Sequence, residues 1–258
     1  MKGTFLFLGT GSSTGVPSIG CKCAVCTSHS PKNKRLRPSG FVEIAGKSLL
    51  IDAGPDLRAQ LLHNGIDHLD GLLLTHTHYD HIAGIDELRV FSRRHKKAFP
   101  CLLSRESFEE MQRRYHYLFN EGGNSAKLEF VVLEKEAGKS EFLTVPILYC
   151  SFKQGAMKVT GFRFGELAYI SDIHKYEESL FSSLQGVRKL ILSSLQPEKS
   201  PVHLSFEQAV LFAKRTGAEE TWLTHLGHAI DHDQGNALLP PEVRLAYDGL
   251  KLEFTCTN

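Results

Sequence analysis

Short apolar runs bounded by glycine or polar turn residues recur through the first half of the chain, at residues 4–8, 41–45, 48–51 and 71–74. Runs of that length between turn residues predict buried strands. Between the third and fourth runs, residues 56–64 place Leu57, Leu61 and Leu62 on one helical face and stop at Gly65, a residue suited to a left-handed carboxyl-terminal cap. The strand pattern returns at residues 130–133, 142–149, 159–164, 167–171, 189–192 and 221–223. A second helix is predicted from Ser205, where Ser-Phe-Glu-Gln forms a capping box; Phe206, Ala209, Val210 and Ala213 form its apolar stripe, and Gly217 ends it. Strands and helices interleave throughout, which predicts an α/β protein with layered sheets covered by helices. No proline- or serine-rich linker divides the chain, so residues 1–258 read as one domain. Residues 104–126 stand apart, because Phe108, Met111, Tyr115, Tyr117 and Phe119 are more apolar surface than an outer helix needs. With a flexible end at Glu121-Gly122-Gly123-Asn124, the segment reads either as a lid over a pocket or as a helix packed on the core.

Composition narrows the setting. A chain of 258 residues with 41% hydrophobic content can bury a sizeable core. A formal net charge of +1 gives no general attraction to nucleic acid or to an anionic membrane. The apolar stretch at residues 4–8 is too short for a secretory signal and no run approaches a membrane span, so a cytoplasmic location without a membrane partner is expected. Of six cysteines, Cys101, Cys150 and Cys256 lie singly in strand-like surroundings, where buried free thiols are expected. Cys21, Cys23 and Cys26 are bunched instead, and three thiolates at that spacing match a structural zinc site lacking one ligand. His29 is the local candidate for the fourth position and His228 the remote one.

The strongest chemical signal is Thr75-His76-Thr77-His78-Tyr79-Asp80-His81, directly after Leu72-Leu73-Leu74. Histidines this crowded repel one another when charged, so the pattern suits a metal. In an extended segment His76 and His78 point the same way, whereas Asp80 and His81 must turn toward a different point, which provides for two ions. Further ligands are expected at strand tips elsewhere, and Asp172 and His225 each lie just past a predicted strand. Asp52, in Leu49-Leu50-Ile51-Asp52-Ala53-Gly54, has the same placement and is assigned to orienting a histidine through its second ring nitrogen.

In this order, Ile51-Asp52-Ala53-Gly54, His76-x-His78-x-Asp80-His81, Ser171-Asp172 and Thr224-His225 resemble the motifs of the metallo-β-lactamase-fold hydrolases over nearly the full chain. More narrowly, Gly9-Thr10-Gly11-Ser12, the cysteine cluster, Thr224-His225-Leu226-Gly227-His228 and Ala246-Tyr247-Asp248-Gly249 resemble the phosphoribosyl cyclic phosphate phosphodiesterase family of the carbon–phosphorus lyase pathway. The resemblance implies a four-layer αββα sandwich with two metals at one edge between its sheets. It implies His76 and His78 on the first ion, Asp80, His81 and His225 on the second, Asp172 bridging them, and His228 rather than His29 on the structural zinc. Where the family carries a third histidine for the first ion, this chain has Gln154. A neutral amide oxygen is a weaker ligand than imidazole, so that site is expected to lean from zinc toward manganese or magnesium. The resemblance also puts His203 at the pocket as a phosphate contact or general acid, a role its ordinary pKa would suit near neutrality.

The expected activity is hydrolysis of a small cyclic or nucleotide-like phosphodiester by a hydroxide bridging two zinc or manganese ions, with Asp80 and His203 as the catalytic side chains. A nuclease acting on RNA or DNA is the rival enzyme; Lys32, Lys34, Arg35 and Arg37 form a local basic patch that could touch phosphates, although net charge disfavours a nucleic-acid partner. The same metals could serve a thioester hydrolase or a lactamase. A catalytically weakened binding protein of the same fold draws its support from Gln154 alone, and the sequence leaves a homodimer open.

Overall fold

The computed structural model describes residues 1–119 and 126–256, so the Glu121–Asn124 end of the suspected lid lies outside the described residues. In chain order the strands are β1 (Lys2–Gly9), β2 (Ser39–Ile44), β3 (Lys47–Ile51), β4 (Gly71–Leu73), β5 (Phe99–Ser104), β6 (Leu128–Leu133), β7 (Ala137–Phe142), β8 (Val145–Gln154), β9 (Met157–Phe164), β10 (Leu167–Ile170), β11 (Lys189–Ser193), β12 (Glu220–Thr224), β13 (Val243–Leu245) and β14 (Lys251–Thr255). They form two seven-stranded sheets, ordered β14-β1-β2-β3-β4-β5-β6 and β13-β12-β11-β10-β9-β8-β7. Each sheet is antiparallel in one part and parallel in the other: β3 to β6 run parallel in the first, β10 to β13 in the second.

The pleat decides which side chains meet. Phe5 and Phe7 of β1, Leu49 and Ile51 of β3 and Leu73 of β4 face Tyr149, Phe162, Phe164, Tyr169 and Ile191 across the space between the sheets. Leu50, Leu72 and Leu74 point the other way, under Leu57 and Leu61 of helix Leu57–His63 and Phe91 of helix Arg89–His95. On the far side, Ala168, Ile170, Leu190 and Leu192 lie under Leu180 of helix Leu180–Ser183 and Phe206, Ala209 and Phe212 of helix Phe206–Thr216. Strands apolar on both faces are what a doubly covered parallel sheet requires. The architecture is the αββα sandwich.

Several predicted elements shift. The run at 142–149 is two strands, because Leu143 and Thr144 adopt φ of 53° and 72° and turn the chain in a two-residue hairpin between β7 and β8. In helix Leu57–His63 the buried face is Leu57, Gln60 and Leu61, while Leu62 is 65% exposed. The capping-box helix forms as read, with both reciprocal bonds present and Gly217 at φ 71°. Helix Arg105–Arg114 is capped by Ser104, seats Met111 fully in the core and stacks Phe108 edge-on to Phe119 and Phe130. Cys101, Cys150 and Cys256 are buried free thiols. Among the described residues no helix is long and apolar enough to cross a membrane.

The parallel strands bring their carboxyl ends to one edge of the sandwich, where Thr160 N–H donates to Thr75 O at 2.9 Å and ties the sheets together. Two loops there interlock through bare backbone: Ala53 N–H donates to His81 O at 2.7 Å and Gly84 N–H to Ala53 O at 2.8 Å. A Cβ on Gly54 would stand 2.1 Å from Asp80 O, and one on Gly84 2.1 Å from Gly54 O. Neither obstacle is a flexible side-chain tip, so the backbones must separate to admit a methyl. Gly54→Ala is expected to cost about 1–3 kcal/mol of stability in urea unfolding; an unchanged midpoint would show that the crossing is not tight.

Candidate metal centre

Each site residue hangs on the end of a strand. Asp52 follows β3, Asp172 lies just beyond β10, and His225 follows β12; all three take left-handed backbone, with φ of 62°, 57° and 61°. Such φ values cost non-glycine residues energy and persist where the surroundings over-determine them. After β4 the chain stays extended through His78 and then turns into the short helix Tyr79–Ile82. The expected parting of the two pairs is incomplete: the turn brings Asp80 to His225, but the His81 ring packs 4.1 Å from that of His76, and Tyr79 is left 69% exposed beside the site.

The structure brings the predicted residues together. His81 Nε2 lies 3.1 Å from Asp172 Oδ2 and 3.4 Å from Asp80 Oδ2. His225 Nε2 is 3.2 Å from both Asp80 Oδ2 and Asp172 Oδ1. His76 Nε2 is 2.9 Å from His78 Nδ1. Three overlapping groups each hold their potential ligand atoms within 4.8 Å: His76, His81 and Asp172; Asp80, His81 and His225; Asp172, His203 and His225. Tetrahedral coordination at about 2.0–2.3 Å separates neighbouring ligand atoms by roughly 3.3–3.8 Å; the contacts here, at 2.9–3.4 Å, lie at or just under that range, so a cation would enter with a small widening of the cluster.

Hydrogen bonding fixes which nitrogens point inward. Asp52 is wholly buried and accepts from Thr75 N–H at 2.8 Å, from Thr75 Oγ1 at 2.8 Å and from His81 Nδ1 at 2.7 Å. Thr75 Oγ1 in turn lies 2.9 Å from His76 Nδ1 and, having given its proton to Asp52, accepts there. Both rings therefore carry their proton on Nδ1 and aim an Nε2 lone pair into the site. His81 Nε2 is buried against the Asp172 and Asp80 carboxylates, at 3.1 and 3.4 Å. Only a positive charge relieves that arrangement, and a divalent cation fits it.

The electrostatics agree. Burial lowers the His81 pKa, yet Asp172, Asp80 and Asp52 outweigh it and hold the ring well above the ordinary histidine range. Burial raises Asp80 and Asp172, but His81 and His225 pull both below the usual carboxylate range. Burial and the neighbouring His81 push His76 well down. His203, in the loop before helix Phe206–Thr216, departs from expectation: burial and His225 bring its pKa to about 4, so it is neutral at pH 7. Its ring stands 4.8 Å from that of His225, and its Nε2 is 3.0 Å from Gln154 Nε2. Gln154 also donates to Asp172 Oδ1 at 2.9 Å, so its amide turns N–H toward the site rather than the oxygen expected as a ligand, and Oε1 is buried and unpaired.

At the second cluster, Cys21 Sγ and Cys23 Sγ lie 3.4 and 3.6 Å from His228 Nδ1, and these atoms with Cys26 Sγ fall within 4.8 Å of one another. His29 is exposed and outside this group. The Cys26 N–H and then His228 draw the Cys23 thiol down to about 6, toward the thiolate a zinc ion takes.

Two features escaped sequence reasoning. Asp248 accepts from Thr10 N–H at 2.8 Å, Thr10 Oγ1 at 2.7 Å and Leu36 N–H at 2.7 Å, joining the chain's two ends behind the site. The basic patch does not form. Arg35 is 2% exposed and donates to Gly227 O at 3.1 Å, bracing the His228 loop; Arg37 pairs with Asp56 at 2.9 Å; Lys34 Nζ donates to Cys26 O at 3.3 Å; Lys32 lies 5.0 Å over the Tyr247 ring.

A sequence profile for the beta-lactamase superfamily domain matches residues 47–226, which carry every predicted ligand of the buried centre. The crystal structure of a diphosphatase from the PhnP family aligns over 98% of this chain and 98% of its own with a TM-score of 0.91 and 35% identity. Zinc-bound PqqB from Methylobacterium extorquens shares the fold, with a TM-score of 0.75 and 18% identity over 96% of this chain and 99% of its own. An octanoyltransferase from Porphyromonas gingivalis is 34% identical over 95% of this chain and 50% of its own length. The chain spans half or less of the length of the curated relatives it matches. With its strand-end histidines and aspartates in the order and geometry just described, the chain belongs to the metallo-β-lactamase-fold superfamily and is PhnP-like within it.

Proposed function

We propose that this chain is a metal-dependent hydrolase that cleaves a phosphodiester or diphosphate bond in a small cyclic or nucleotide-like substrate. The carrying observation is His81, whose Nδ1 is fixed on Asp52 and whose Nε2 faces two buried carboxylates. His76, His78 and Asp172 would hold one divalent cation, and Gln154 would join them through Oε1 once its amide, which now donates Nε2–H to Asp172, turns over. Asp80, His81 and His225 would hold the other, sharing Asp172. Two bound ions supply an acidified water and positive charge against phosphoryl oxygens. Cys21, Cys23, Cys26 and His228 would hold a structural zinc that joins the amino-terminal loop to the loop carrying His225.

The chain's own groups do the rest. Asp52 and Thr75 keep His81 and His76 from rotating. Neutral His203 stands beside Asp172, its Nδ1 at 3.8 Å from Oδ1 and without a hydrogen-bond partner. An anionic phosphate next to it raises its pKa, so it takes up a proton as substrate binds and can deliver it to the leaving oxygen. The similarity to a diphosphatase supports phosphorus rather than acyl chemistry. The internal pairing of Arg35 and Arg37 weighs against a nucleic-acid track.

Purified protein supplied with manganese is expected to turn over bis(p-nitrophenyl) phosphate in preference to a thioester or a β-lactam, and Asp80→Ala to abolish this while remaining folded by circular dichroism; full activity in that variant would remove the site from the chemistry. Asp52→Asn should weaken metal retention about 10- to 100-fold in competition with a chelator, and unchanged retention would mean that Asp52 does not tune His81. By elemental analysis, His228→Ala should lose one equivalent of zinc and His29→Ala none; the reverse would reassign the fourth ligand.

A further inference from the structure

Beside the strand end that carries Gln154, a cavity of about 520 Å3 opens at the edge of β8, lined among others by Phe152, Lys153, Lys158, Lys175, Tyr176 and Leu180. Lys153 and Lys158 are register partners across β8 and β9. On the other side of β8, Lys153 N–H donates to Lys175 O at 2.8 Å and Lys175 N–H to Lys153 O at 2.9 Å, an isolated antiparallel bridge. Three lysines thus stand directly opposite one another on three adjacent segments, and all three line the same cavity. Like charges in opposed positions of a sheet are destabilising.

The fold relieves only one of them. Lys158 Nζ is 2.6 Å from Glu136 Oε1 and 3.9 Å from Glu106 Oε2. Glu177 stands on the cavity wall, yet among the described residues Lys153 and Lys175 have no ion pair within 4 Å. Of the apolar lining residues, Phe152 and Leu180 are buried in the helix-side core, and Tyr176 is partly exposed. A monocarboxylate would be neutralised by one lysine, whereas two unpaired lysines beside a third match the double charge of a phosphate monoester. The volume is that of a small-molecule pocket rather than an ion niche.

We propose that this cavity binds an organic phosphate of nucleoside monophosphate size, its phosphate on Lys153 and Lys175 and its organic body beside Tyr176. The site stands apart from the buried centre and needs no metal ligand, so it does not depend on the proposed hydrolysis. Gln154 follows Lys153 and Asp172 precedes Lys175 by three residues, so an occupant holds the two segments that enter the metal centre.

Calorimetric titration with adenosine 5′-monophosphate tests this on metal-loaded wild-type protein, Asp80→Ala and Lys153→Ala/Lys175→Ala, with octanoate as a second titrant. The nucleotide should bind wild type and Asp80→Ala alike and bind the double-lysine variant at least about tenfold more weakly. Without ligand that variant should melt no lower than wild type, because it sheds repulsion, and the nucleotide should no longer raise its melting temperature. Four results would overturn the proposal: equal nucleotide affinity in the lysine variant, binding lost in Asp80→Ala, binding of octanoate but not of the nucleotide, or no nucleotide binding by wild type.

Discussion

Asp52 and His81 are both sealed from solvent, and the 2.7 Å contact between them sets the terms for everything at this edge of the sandwich. Burial drives the Asp52 pKa upward, and the charge it retains is satisfied by His81 and the two Thr75 donors. With its Nδ1 proton committed to Asp52, His81 turns Nε2 to Asp80 and Asp172, and the two carboxylates favour a positive charge there. Deleting one partner of such a buried pair costs about 3–5 kcal/mol, more than any surface ion pair of the molecule can return. The arrangement is therefore stable with a proton or a cation on the far nitrogen. It selects against neutral imidazole.

The surrounding fold is shaped to deliver that geometry. Parallel strands end together, and three of them pass at once into left-handed turns at Asp52, Asp172 and His225. Each such residue costs on the order of 1–3 kcal/mol. Binding a tightly held divalent ion contributes on the order of 10 kcal/mol, enough to offset all three. Gly54 and Gly84 allow the Asp52 and His81 loops to touch backbone to backbone, so the position of the metal loop is fixed by main chain rather than by adaptable side chains. Arg35, deep in the protein on Gly227 O, does the same for the loop carrying His228.

The ligand positions were legible because apolar runs stop abruptly at a charged or imidazole residue, at Ile51-Asp52, Leu74-Thr75-His76 and Leu223-Thr224-His225. The helix from Ser205 was equally plain from its capping box and Gly217, whereas helix Leu57–His63 was legible in extent but not in its buried face, which takes Gln60 in place of Leu62. Legibility failed where the signal depends on tertiary partners. The Leu143-Thr144 turn carries no glycine to announce its positive φ, and β7 is an edge strand whose Ala-Gly-Lys-Ser-Glu-Phe sequence contains no apolar run. Arg35 sits in a basic stretch that reads as solvated until the His228 loop folds over it. The depressed pKa of His203 comes from burial and from His225, neither of which its local sequence reveals. The lysine row requires knowledge of register, since Lys153, Lys158 and Lys175 are unremarkable as separate surface residues.

The central claim is that this cluster of imidazoles and carboxylates is a two-cation shell organised around Asp172. Crystals of metal-loaded protein, with anomalous difference maps collected at the zinc and manganese edges, test it directly. The account predicts two peaks in contact with the Asp172 carboxylate, one shared with His76 and His78 and the other with Asp80, His81 and His225. A map with no peak within about 3 Å of Asp172 would contradict it.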